Sequence, residues 1–230
     1  MQRGTGPRGM GNSEVSVWAW FKKEELGPTR MSDLISLCIS RSHAIISVMG
    51  PHAGEQSDTI FQRKIGDISR IGWTLWLIKS YKAKPDRVQA MCRRTTPAYA
   101  VFIEAGSPGS ARPAVLDAVA TQYSADRRTW TSLPSDLGPV TGHLNSDAYA
   151  LMFDKIEAYH RSAEIDLWDY SEFDPDNPEA SHFLETKLGC STVCAVRADS
   201  NTKKPGMKSR YRKVLACARL RAPSAVWVRR

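Results

Sequence analysis

Apolar residues in the second half of this sequence fall mostly into short runs that alternate with polar residues. The runs are bounded by turn-forming or charged residues, a pattern that predicts β-strands rather than helices. Strands are predicted at residues 72–81, 98–103, 148–160, 165–170, 191–198, 214–219 and 225–228, and also near the beginning of the chain at 15–21.

Helical spacing of apolar residues occurs in fewer places. Residues 84–94 place Val88, Met91 and Cys92 on one face, and residues 113–123 begin with Pro113, which suits the first turn of a helix. The first part of 31–49 has helical spacing, but its second half, 43–49, has a strand pattern. Residues 59–64 are short and mixed in pattern, within a region that we interpret as mostly strand.

The order of these elements predicts the fold class. The strands follow one another through loops rather than through regularly placed helices, which favours an α+β fold over a doubly wound parallel sheet. We therefore expect a mainly antiparallel curled sheet or small barrel with a few flanking helices.

A loop rich in glycine and polar residues, 50–58, is the best candidate for a domain boundary. We predict an N-terminal segment over residues 1–58, partly disordered, and a main α+β domain over residues 59–230.

Charge is distributed unevenly along the 230 residues. The formal net charge is +8 and the pI about 9.4. Residues 154–185 hold ten acidic and two basic residues, whereas residues 203–230 hold ten basic residues and no acidic ones. Such segregation indicates a polyanionic partner.

The apolar runs and the cysteines of the sequence indicate the compartment in which the protein works. No run approaches the roughly 20 apolar residues of a membrane helix, and no secretory signal is present, so we expect a soluble intracellular protein without a membrane partner. The five cysteines are scattered, and we interpret them as reduced thiols.

Basic and aromatic residues are interleaved where the strand pattern is strong. Phosphate neutralisation by cations and base stacking on aromatic rings are the two requirements of single-stranded nucleic-acid binding. The predicted contact residues are Trp73, Lys79, Tyr81, Lys82, Lys84, Arg87, Lys208, Arg210 and Arg212. A core position is the competing interpretation for the tryptophans.

An alternative function is an enzyme that acts on a phosphorylated or otherwise anionic small molecule. A small-residue loop follows the strand at 98–103 and precedes the helix predicted from Pro113, and backbone N–H groups at such a junction attract anions. The candidate anion-binding residues are Gly106, Ser107, Gly109, Ser110 and Arg112. An ordinary strand-to-helix connection explains the same pattern.

Metal and catalytic sites are not predicted. Cys190 and Cys194 would lie about 13 Å apart along a strand, too far to share one zinc ion with bonds near 2.3 Å. The carboxylates around residues 166–176 lack the spacing of a calcium loop. We predict no metal and no cofactor, and we assign no catalytic residue.

Overall fold

The computed structural model shows a mixed α+β fold built on a curled, barrel-like sheet, which confirms the predicted fold class. It describes residues 43–49, 55–78, 85–105, 118–142, 144, 148–158, 163–173, 175–176, 193–198 and 210–230. The N-terminal residues 1–42, including the strand predicted at 15–21, lie outside these ranges.

Two helices are described. Helix α1 spans Ser57–Ile71 and helix α2 spans Pro85–Arg94. The prediction of a helix at 84–94 is confirmed. Helix α1 was not predicted, because its buried face includes Lys64 and Asp67 and therefore does not look apolar in the sequence.

Helix α1 ends where its sequence supplies the residues for a helix terminus. Gly72 adopts a left-handed conformation with φ 81°, and its N–H donates to the carbonyl oxygen of Ile68 at 2.8 Å. Only glycine takes this conformation without steric cost. Asp58 in the first turn and Arg70 in the last turn have the charges that the helix dipole favours.

The strands are numbered in chain order. They are β1 His43–Met49, β2 Thr74–Ile78, β3 Tyr99–Glu104, β4 Ala118–Val119, β5 Gln122–Ser124, β6 Thr131–Ser132, β7 Thr141–Gly142, β8 Tyr149–Ala158, β9 Glu164–Asp166, β10 Tyr170–Glu172, β11 Val193–Ala198 and β12 Tyr211–Arg229. A 3-10 turn, Leu167–Asp169, separates β9 from β10.

Ten of these strands form one sheet, and β12 is its centre. The path runs β10-β11-β1-β3-β12-β5-β6, with β2 attached through β8 and with β8 and β9 also paired to β12. The β1–β3 pair is parallel and the other pairs are antiparallel, which agrees with the predicted mainly antiparallel sheet. Strands β4 and β7 form a separate pair.

The two faces of the sheet are covered differently. Helices α1 and α2 pack on one face, where Phe61 and Met91 join Phe102 and Phe153 in the largest core cluster. The opposite face is covered by β9, the 3-10 turn and β10 at one end, and by the segment 118–140 at the other. Burial on both faces explains why strands such as β3 are apolar throughout.

Several sequence-based boundaries differ from the structure. The helix predicted from Pro113 does not extend over 118–124, where β4 and β5 lie instead. The predicted strand 165–170 is interrupted by the 3-10 turn because the side chain of Asp166 accepts a hydrogen bond from the N–H of Trp168. The predicted strands 214–219 and 225–228 are one strand with a register shift between Leu220 and Ala225.

Residues 43–49 form an inner strand of the sheet, between β11 and β3. The proposed boundary at 58 and 59 placed this strand in the N-terminal segment. The part of that segment before residue 43 lies outside the described residues, and its separation from the main domain stays a prediction.

A buried carboxylate, Asp67, ties α1 to β2 and to the segment before β7. Its two oxygens accept hydrogen bonds from the hydroxyl of Thr74 at 2.8 Å, from Arg70 at 2.7 Å and from the backbone N–H of Gly138 at 2.9 Å. A Cβ at position 138 would lie 2.8 Å from this carboxylate, so the close approach requires glycine. These bonds offset the desolvation of a fully buried charge.

Lys64 is buried beside Asp67, with its Nζ 3.8 Å from the nearer carboxylate oxygen. Burial lowers the pKa of Lys64 from 10.5 to about 8. The charge of Asp67 opposes this shift, the charge of Arg63 adds to it, and the charge of Glu55 opposes it. The unfolded chain therefore binds the lysine proton more tightly than the folded protein does.

The first prediction follows from this shift. Between pH 8 and 10.5 the unfolded state carries more protons at Lys64, so the free energy of unfolding should rise with pH in that window. The expected gain from pH 7 to pH 9.5 is about 2 kcal/mol. Replacing Lys64 with Met should remove this part of the pH dependence, as measured by urea denaturation at both pH values.

The control is Lys155→Met, which removes an exposed lysine of β8. For each protein the change in the free energy of unfolding between the two pH values is measured, and the value of each variant is subtracted from that of the wild type. The subtraction cancels the titration of groups that the two proteins share. Equal pH dependence in wild type and Lys64→Met would contradict the prediction.

Candidate nucleic-acid interface

Six residues from two distant parts of the chain form a basic and aromatic surface. Three belong to the turn between β5 and β6 and three to the end of the chain in and after β12. Strand pairing brings them together, because Trp227 is opposite Ser124 and Arg229 is opposite Gln122. We call this the Arg–Trp surface, and it consists of Arg127, Arg128, Trp130, Trp227, Arg229 and Arg230.

Two arginines of this surface stack on its two tryptophans. The guanidinium carbon of Arg127 lies 3.3 Å from the ring centroid of Trp227, and that of Arg229 lies 4.0 Å from the ring centroid of Trp130. All four arginines of the surface are exposed, and both tryptophans are half-buried. Cation–π attraction therefore holds the positive charges of Arg127 and Arg229 in fixed positions at the surface.

The turn that carries Arg127 is ordered by hydrogen bonds to the side chains of Ser124 and Asp126. The carboxylate of Asp126 accepts from the N–H groups of Arg128 at 2.8 Å and Thr129 at 2.9 Å, and Ser124 Oγ accepts from the N–H of Arg127 at 2.9 Å. Arg127 itself has φ 63°. This rare conformation for a residue with a side chain persists only where the surrounding contacts determine it.

Asp126 is the acidic residue within the turn, and its charge is directed at the backbone. Hydrogen bonds from the N–H groups of Thr129 and Arg128 lower the pKa of Asp126. Its carboxylate therefore stays ionised at neutral pH and stabilises the turn.

Both stacks are supported from the side of the sheet. Tyr149 of β8 contacts Trp227, with ring centroids 5.7 Å apart and an angle of 60° between the rings. Gln122 accepts a hydrogen bond from Nε of Arg229 at 2.7 Å. The indole N–H of Trp130 donates to the carbonyl oxygen of Arg127 at 3.2 Å, which links one stack to the other.

The first group of predicted nucleic-acid contacts is described only in part. Trp73 is 9% exposed and packs against Tyr123 in the core, with ring centroids 5.7 Å apart. Its position is therefore that of a core residue. Arg87 is half-buried on α2. The remaining members, Lys79, Tyr81, Lys82 and Lys84, lie outside the described residues.

The second predicted group lies at the N-terminal end of β12. Arg210 is exposed, and its backbone N–H donates to Asp166 at 2.9 Å. Arg212 is half-buried, and its Nε is buried without a hydrogen-bond partner among the described residues. Lys208 lies outside them.

Strand β12 separates this group from the Arg–Trp surface. Arg212 pairs with β9 and Arg229 pairs with β5. The two arginines are 17 residues apart, or roughly 56 Å along the strand at about 3.3 Å per residue. Arg212 and Arg229 therefore lie near opposite ends of β12, and whether the basic C-terminal residues share one surface stays a prediction, because Lys203, Lys204 and Lys208 lie outside the described residues.

The structure does not test the candidate anion loop, which stays a prediction. Its residues all lie outside the described part of the chain: Gly106, Ser107, Gly109, Ser110 and Arg112. Within the described ranges, no group of three or more His, Cys, Asp or Glu side chains is arranged to hold a metal ion. Cys92 and Cys217 are not joined in disulfides.

A groove of about 190 Å³ lies between β4 and the segment before β7, and none of the residues that line it has a titratable side chain. Neither α1 nor α2, the helices in the described part of the chain, is long and apolar enough to cross a lipid bilayer.

Comparison of the chain with protein families, with curated proteins and with solved structures finds no significant match. Any statement about function therefore depends on the geometry and charge of the surface itself.

Sequence reasoning missed the Arg–Trp surface. The signal was present in two short strings, RRTW at 127–130 and WVRR at 227–230, each of which combines two arginines with a tryptophan. What the sequence does not show is that β5 and β12 are partners.

The second prediction concerns the strength of one stack. Arg229→Ala and Trp130→Ala, alone and combined, should show a coupling of about 0.5–1 kcal/mol in the free energy of unfolding, the usual value for an exposed cation–π pair. Arg221→Ala combined with Trp130→Ala is the matched control, since Arg221 is an exposed arginine of the same strand, and those effects should add. Additive effects in both cycles would contradict the stack.

Proposed function

We propose that this protein binds nucleic acid through the Arg–Trp surface, with single-stranded nucleic acid as the favoured ligand. The observation that supports the proposal is the pair of arginine–tryptophan stacks, which hold exposed positive charge in a defined arrangement. Arginine binds phosphate through a planar fork of N–H donors, and stacking on an aromatic ring is compatible with that contact.

Charge at the surface agrees with a polyanionic ligand. The surface carries four exposed arginines, and Oδ1 of Asp126 in the same turn accepts hydrogen bonds from the backbone of that turn. The protein as a whole has a formal net charge of +8. An approaching polyanion is therefore attracted at long range and meets donors at short range.

The shape of the surface favours a single strand over a duplex. The arginines lie on a turn and at the end of a strand in a curled sheet, and neither described helix contributes to them. A flexible single strand can adjust the positions of its phosphates to such a surface more readily than a rigid duplex can.

The third prediction tests the proposal directly. A labelled single-stranded oligonucleotide should bind to the wild type in fluorescence anisotropy, and the affinity should fall steeply between about 50 and 200 mM salt. The double variant Arg127→Ala, Arg229→Ala should bind roughly tenfold more weakly. Its slope of log K against log salt should be smaller by about 1.4, because two phosphate contacts are lost.

The control is Arg221→Ala, an exposed arginine of β12 outside the Arg–Trp surface. This variant should change both quantities by less than half as much as the double variant does. A wild-type protein that ignores single-stranded DNA and RNA at low salt would end the proposal.

A further inference from the structure

We infer that the Arg–Trp surface recognises the phosphodiester backbone rather than the bases, and that Trp130 and Trp227 are positioning residues for the arginines. The inference rests on the proposed function, because it specifies which part of a nucleic acid the surface contacts. It also differs from the expectation drawn from the sequence, in which aromatic side chains stack on bases.

The ring of Trp227 already contacts other side chains of the protein. Arg127 covers one face at 3.3 Å, and Tyr149 contacts the ring at a centroid distance of 5.7 Å. Trp227 also packs against the core cluster beneath the helices. A base that stacked on Trp227 would have to displace Arg127 and so remove the charge that attracts the nucleic acid.

Trp130 also has an arginine over its ring. Arg229 lies over that ring at 4.0 Å, and the indole N–H of Trp130 is bonded to the carbonyl oxygen of Arg127. The one polar group of the indole is thus committed to the turn and cannot contact the edge of a base without breaking that bond. Both tryptophans therefore act through the arginines that they hold.

The arginines, in contrast, present the group that a phosphate needs. Stacking occupies the flat face of a guanidinium, and hydrogen bonding to phosphate uses its edge. In Arg229 the Nε is bonded to Gln122, which fixes the orientation of the guanidinium plane and assigns phosphate binding to its Nη groups. A stacked and oriented arginine loses less conformational entropy on binding than a mobile one.

This arrangement defines the ligand by chemical class. The partner is a flexible chain of phosphodiesters, and neither base identity nor the presence of a base is required. Binding should consequently be independent of sequence and governed by salt.

The fourth prediction uses oligonucleotides without bases. A fully abasic single strand of the same length and label should bind the wild-type protein within about threefold of a normal strand, with an equal salt slope. Base stacking would instead weaken the abasic strand by about fivefold or more for each base lost, and that result would overturn the inference while leaving the proposed function intact. Failure of both strands to bind would reject the proposed function itself.

The fifth prediction separates positioning from stacking on bases. Trp130→Leu keeps an apolar side chain in an exposed turn but removes the aromatic face, so it should weaken binding of the abasic strand several-fold and reduce the salt slope. Trp130→Phe should restore both, because a phenyl ring still holds Arg229.

The abasic strand makes this test specific, because loss of base stacking cannot account for weaker binding to it. Circular dichroism and the urea midpoint of each variant confirm folding. Unchanged affinity and unchanged salt slope in folded Trp130→Leu would contradict the positioning role.

Discussion

Strand β12 is the constraint on which the arrangement of the other elements depends. It pairs with β3, β5, β8 and β9 along its length, and residues 214–218 are buried on both faces. Where a strand is buried on both faces it has to be apolar, so the charged residues of β12 lie outside 214–218. The Arg–Trp surface lies at one such end, where β12 meets β5, and its geometry is set by that pairing.

Asp67 supplies a second constraint, which fixes the segment between β6 and β7 against α1. Gly138 donates to its carboxylate, and the carbonyl oxygen of Asp136 accepts from Nε of Arg70. The cost is a buried charge together with the buried amine of Lys64, which a purely apolar contact would avoid. The carboxylate of Asp67 joins α1, β2 and the segment before β7. The segment that follows β6 therefore has a defined path across the sheet.

The parts of the fold that depend on local pattern could be predicted from the sequence. Strands such as β3 and β8 and helix α2 follow from runs of apolar residues at the spacing of a strand or a helix. Helix α1 could not be predicted in this way, since Lys64 and Asp67 interrupt its buried face. The same limit applies to the site, because Arg127 and Trp227 are 100 positions apart and meet only through the pairing of β5 with β12.

Two acidic side chains of β8 are paired with basic side chains in the middle of the sheet. Asp154 accepts a hydrogen bond from Arg219 at 2.7 Å, and Glu157 forms an ion pair with Lys155 at 2.7 Å. Asp154 therefore pairs with one arginine of the basic C-terminal region, whereas the pair of Glu157 with Lys155 is made within β8 itself. Beside Tyr149, at the other end of β8, Arg127 stacks on Trp227, and Arg229 stacks on Trp130. Stacking uses the flat face of a guanidinium, whereas the ion pair of Arg219 with Asp154 uses an N–H at its edge, the group that also binds phosphate.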